Sequence, residues 1–202
     1  MNSTSPTNAK LDREKLRRMF APPGPGRLPS KVRPLEDAVR SFVRPGMTLH
    51  FAYSEGRPMA ASNALVRCFA GTDPGFTIIS AGVVSNQAAL VSEKIATRLI
   101  ASFVGENYPT PAPNRIFQDA INSGAVQIEN QSLLVISQRL AAGAFGFPFA
   151  PTRSWRGSSL EQNPGFGLVR DPFGGAEDVG VVQALLPDIT FVHGLAADPQ
   201  GN

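Results

Sequence analysis

The chain has 202 residues, 42% hydrophobic and 17% charged, with a formal net charge of +3. That supplies apolar material for one cored domain, and a single cysteine excludes an internal disulfide or a zinc site built on cysteine pairs. No apolar run reaches the roughly 18 residues a membrane helix needs, two histidines leave little for a metal site, and the polar start MNSTSPTNAKLDREKL has no leader-like apolar stretch, so a cytoplasmic protein without membrane span or metal is expected.

The first 33 residues carry eight basic and two acidic residues, so the rest of the chain is mildly acidic. Lys10, Arg13, Lys15, Arg17 and Arg18 surround Leu11, Leu16, Met19 and Phe20, the pattern of a short amphipathic helix. The following APPGPGRLPSK cannot continue it, because proline lacks the amide donor and blocks the helical path. Residues 1–33 therefore read as a basic, Pro/Gly-rich arm, a linker or subunit contact. No aromatic platform is interleaved with the basic residues and no docking fold stands behind them, so nucleic acid is not the expected partner.

A domain over residues 34–202 opens at Pro34, with Glu36 and Asp37 in the first turn of a helix. Arg44-Pro45-Gly46 stops it. Met47 to Ala52 reads as a strand and Met59 to Ala70 as a helix. Phe76 to Ser80 is a second strand, Gln87 to Lys94 a short helix, and Arg98 to Val104 a third strand. A proline-rich loop leads to a helix over Arg115 to Asn122, a strand over Ala125 to Glu129, and a longer helix over Ser132 to Ala142. After Phe147-Pro148-Phe149 a polar, glycine-rich stretch is expected to about Gly180, then apolar runs over Val181 to Leu186 and Ile189 to His193. Alternating elements with strands apolar on both faces predict an α/β fold: an open, mostly parallel sheet with helices on both faces.

Ligands of such sheets bind beyond the carboxyl ends of the strands. The expected positions are 54–57, 82–86, 105–108 and 129–131. No dinucleotide fingerprint or phosphate-binding loop follows the first strand. Arg57 can clamp a carboxylate with paired N–H donors, or anchor its own loop through Glu55. Glu106 follows an apolar strand, where it is either a half-buried carboxylate or an exposed loop acid. Gln131 reads as a capping or loop hydrogen-bonding residue, and Cys68 as a small core residue.

The order of the motifs resembles the α subunit of family I CoA-transferases, on the glutaconate CoA-transferase side. Leu35-Glu36-Asp37-Ala38-Val39 with Arg44-Pro45-Gly46-Met47-Thr48 resembles the opening helix and strand. Gly56 to Ala60 resembles the loop entering the next helix, and Ser102-Phe103-Val104-Gly105-Glu106 the glutamate-bearing strand end. Ala141 to Arg153, Asn163-Pro164, Asp171 to Gly174, Pro187 to His193 and Ala197 to Asn202 resemble later segments in order.

The resemblance implies a subunit of a heteromeric CoA-thioester enzyme, αβ or α2β2, moving CoA between carboxylated acyl groups. The catalytic glutamate then lies on a β-type partner, and the acyl-CoA is a substrate with no further cofactor. Ser54, Arg57, Gly82, Glu106, Asn107 and Gln131 are the residues expected at the substrate. A decarboxylase or hydrolase on the same fold is the alternative within the class. The hydrolase type carries its glutamate on the α subunit, at Glu106 or near Glu129 and Gln131. A non-catalytic interaction subunit is the alternative outside it. The chain departs from the pattern in having Phe51-Ala52-Tyr53 where family members carry a glycine-rich turn, and in ending where they continue, which implies a truncated or divergent form.

Overall fold

The computed structural model describes residues 29–53 and 56–202; the expected amphipathic arm and Ser54 lie outside them. Two compact units emerge. The smaller contains residues 29–32 with Leu195–Asn202. Within it the Lys31 amide donates to Pro199 O at 2.7 Å. Asp198 Oδ1 accepts from the amides of Gln200 and Asn202, each at 2.9 Å, and the Asn202 bonds hold its carboxyl below the usual aspartate value.

The larger unit, Arg33–Gly194, holds every regular element among the described residues. Helix α1 (Leu35–Phe42) starts after Pro34 with Glu36 and Asp37 in its first turn, where carboxylates complement the exposed amides. It buries Val39, with Val43 following, against the sheet. Glu36 pairs with Arg67, which holds its carboxyl below the ordinary value. Strand β1 (Thr48–Phe51) leads to α2 (Met59–Phe69). Strand β2 (Phe76–Val84) is followed by a 3-10 turn over Ser85–Gln87 and the short helix α3 (Ala89–Ser92). Then come β3 (Ala96–Gly105), α4 (Arg115–Asn122), β4 (Gln127–Asn130) and α5 (Leu133–Ala144). The last strands are β5 (Phe149–Thr152), β6 (Phe166–Val169), β7 (Val179–Gln183) and β8 (Ile189–Phe191).

Five strands form a parallel sheet in the order β4-β3-β2-β1-β8. The register sets Leu49 opposite Ile78 and Ile189, and Ile78 opposite Leu99. Adjacent residues of one strand serve opposite faces, because side chains alternate along it. Ile78 packs with the α1 to α4 side, whereas Ile79 and Ile100 meet Ile136 of α5 and Leu185. Full burial of such a side chain is worth about 1.5–3 kcal/mol. The expected open parallel sheet with helices on both faces is therefore present.

Two expectations change. Strand β2 runs on to Val84, since Gly82, Val83 and Val84 pair with Phe103, Val104 and Gly105; Gly82 is a strand residue rather than a loop residue. The stretch expected to be irregular also contains β5 and β6. With β7 at the centre they make a three-stranded antiparallel sheet. Val135 of α5, Trp155 and Val182 form its buried contact, so α5 is packed between the two sheets. Among the described residues no helix is long and apolar enough to cross a membrane.

Candidate functional site

Side chains at the carboxyl ends of β1 and β2 meet around Gly82, and a second group gathers beyond the end of the neighbouring β3. Residues 56–58 lead into α2, whose first turn ties down the loop: the Met59 amide donates to Arg57 O at 2.7 Å. Arg57 is half-buried. Its Nη1 donates to Gly82 O at 2.8 Å, and its guanidinium lies 5.0 Å from the centre of the Tyr53 ring. Stacking on an aromatic face and bonding to a carbonyl fix the plane of the fork, which a bidentate contact requires. Below it, Ser80 Oγ donates toward Gly82 O at 3.1 Å. Phe103, opposite Gly82 in register, is 37% exposed at the same strand end.

His193 reaches this edge from beyond β8. A side chain on Gly56 would put its Cβ 2.6 Å from His193 Cδ2, so the imidazole packs directly on the glycine backbone.

Glu106 follows β3 and is half-buried. Its amide donates to Ala112 O at 2.7 Å, and the Ala112 amide donates back to Glu106 O at 3.1 Å. Gly105 has φ +156°, and a Cβ there would lie 2.7 Å from Ala112 O; a side chain would force this bridge open. The Glu106 carboxylate accepts from Asn114 Nδ2 through Oε1. Asn107 is exposed beside it. Arg57, from the loop after β1, thus meets Gly82 near the end of β2, while Glu106 and Asn107 follow the end of the neighbouring β3.

Glu129 and Gln131 form a different cluster. Glu129 Oε1 accepts from Arg139 Nη1 at 2.6 Å and from Gln131 Nε2 at 2.7 Å, and Oε2 accepts from Arg98 Nη2. Arg139 Nε donates to Gln183 O at 2.8 Å. Charge-assisted bonds from two guanidinium groups to one carboxylate tie β3, β4, α5 and β7 together. The Gln131 amide donates to Ala101 O at 3.0 Å, while Ser132, not Gln131, caps α5.

Sequence reasoning passed over Tyr53, Asn114, Arg98 and Arg139. An asparagine just before a periodic run signals a helix cap; its second contact, eight residues back, carries no local signal. Cys68 is half-buried against the main core. Among the described residues no three His, Cys, Asp or Glu side chains are placed to hold a metal ion.

The family model for coenzyme A transferase matches residues 32–202. The 3-oxoadipate CoA-transferase of Pseudomonas knackmussii has an A-type subunit that is 30% identical over 173 residues, covering 83% of this chain and 59% of the relative. The chain thus spans about three fifths of that relative's length. Glutaconate coenzyme A-transferase from Acidaminococcus fermentans superposes with a TM-score of 0.75 at 24% identity, over 85% of this chain and 59% of that one. The decarboxylase AibA/AibB superposes with a TM-score of 0.70 at 26% identity, over 82% of this chain and 62% of that one.

Proposed function

We propose that this chain, which belongs to the coenzyme A transferase family, is the α-type subunit of a heteromeric enzyme that transfers CoA between carboxylated acyl groups. The observation that carries the reading is Arg57, held at the carboxyl edge of the sheet by Gly82 O and the Tyr53 ring. A planar guanidinium there suits the terminal carboxylate of a dicarboxylic acyl group. The relative named for 3-oxoadipate, a dicarboxylic acid, supports the same choice.

In this reading the thioester carbonyl faces a glutamate of a β-type subunit. The glutamate attacks that carbonyl, forming a mixed anhydride and releasing the CoA thiolate. The thiolate attacks the glutamyl carbonyl, leaving glutamyl-CoA and freeing the acyl carboxylate. An acceptor carboxylate then runs the two steps in reverse. This chain supplies the acyl side, with Arg57, Gly82, Glu106 and Asn107 lining it. The assembly is αβ or α2β2, the setting is cytoplasmic, and no cofactor beyond the CoA thioester is required.

A second reading is acyl-CoA decarboxylation or hydrolysis with Glu106 as the in-chain carboxylate. The likeness to the decarboxylase AibA/AibB supports its decarboxylation branch. The test uses the full chain assembled with its β-type partner. Succinyl-CoA and butyryl-CoA serve as donors to acetoacetate. Arg57→Ala is expected to lower kcat/KM about 10- to 100-fold for succinyl-CoA, the loss of one charge-assisted pair, with little change for butyryl-CoA. Equal losses would remove the clamp. Release of carbon dioxide, or of free CoA without an acceptor, would favour the second reading.

A further inference from the structure

We infer that Asn114 is a positioning residue for Glu106, an inference that rests on the proposed reading in which Glu106 lines the acyl side of the site. Asn114 uses both ends of its amide. Oδ1 caps α4, accepting from the amides of Ile116 at 2.9 Å and Phe117 at 3.4 Å. Nδ2 donates to Glu106 Oε1. The backbone beneath is closed by the paired Glu106 and Ala112 bonds, so the carboxylate is fixed at both its root and its tip.

The residue type separates the two duties. Serine and aspartate cap a helix as well as asparagine does, but neither can donate an amide N–H to a carboxylate. The cap alone therefore does not require asparagine at this position; the contact with Glu106 does. A carboxylate whose Oε1 is anchored presents Oε2 in one direction. A group held in its working orientation loses less freedom when substrate arrives. The start of α4 and the direction of Glu106 are in this way set by a single side chain.

The experiment uses the full chain assembled with its β-type partner, succinyl-CoA as donor and acetoacetate as acceptor. Asn114→Ser and Asn114→Asp keep the cap and should hold Tm near the wild-type value, whereas Asn114→Ala should lower it by about 2–4 °C. Asn114→Ser should nevertheless lower kcat about tenfold, the effect of one lost hydrogen bond to a charged group, with KM changed less than kcat. Asn114→Asp should lose more, because it sets a second carboxylate against Glu106. In a Glu106→Ala background Asn114→Ser should have no further effect. Activity that tracks Tm across the three variants would overturn the proposal, as would a full additional loss in the Glu106→Ala background.

A substrate-free measurement keeps the two readings apart. In the full chain, Glu106→Ala should move the side-chain amide resonances of Asn114 while those of the Ile116 and Phe117 backbone amides stay. Unmoved side-chain resonances would overturn the contact itself. Moved resonances with unimpaired Asn114→Ser turnover, while Glu106→Ala is impaired, would overturn the positioning alone. Unimpaired Glu106→Ala turnover would overturn the role of Glu106 and the positioning with it.

Discussion

Arg139 Nη1 lies 2.6 Å from Glu129 Oε1, and the two side chains are 5% and 6% exposed. The pair joins β4, the edge strand of the parallel sheet, to the helix that packs between the two sheets. Its satisfaction is nearly complete, because Arg98 and Gln131 take up the rest of the carboxylate and Gln183 O takes Arg139 Nε. A buried carboxylate that accepts three hydrogen bonds, two of them from guanidinium groups, is expected to do structural work.

Glu129→Ala should therefore destabilise the fold by about 3–5 kcal/mol, the cost of leaving a buried guanidinium unpaired. Glu129→Gln, which keeps an acceptor, should cost less. Urea unfolding of the full chain measures both. If either variant unfolded at the wild-type midpoint yet lost activity in the assembled enzyme, Glu129 would be a reacting group instead.

His50 lies between Leu49 and Phe51 on β1, with Nδ1 3.4 Å from Thr190 Oγ1 on β8. Burial pushes its imidazole below the ordinary value of 6.5. The unfolded chain then binds this proton at a higher pH than the folded chain, so stability rises with pH across that window. The contribution is complete above pH 6.5 and is lost as pH falls toward the folded value. His50→Gln should flatten that part of the stability curve. A wild-type urea midpoint no more sensitive than that of His50→Gln, between neutral pH and the onset of carboxylate titration, would contradict the assignment.

Much of the parallel sheet was legible because its elements combine strong periodicity with clear stops. The helix expected over Arg115 to Asn122 is α4, and the strand expected over Arg98 to Val104 is the heart of β3. Strand β2 ran past its expected end because Gly82 reads as a loop signal, while its burial against β3 depends on a partner distant in sequence. Strands β5 and β6 were hidden by brevity and by Pro151 and Gly167. Pro151 is tolerated because β5 is an edge strand. At the site, Arg57 and Glu106 stood out as charged residues after strands. Their anchors, Gly82 O and Asn114, are tertiary contacts with no local pattern. Glu129 looked like a comparable post-strand acid; only the fold brings Arg98 and Arg139 onto it.

In the proposed function this chain works as the α-type half of a CoA-transferring complex. Native-mass analysis of the protein purified from its own host, with its bound chains identified, tests that most directly. The expected result is a β-type CoA-transferase subunit in equal number, as αβ or α2β2. An isolated chain, or a homo-oligomer without such a partner, would contradict it.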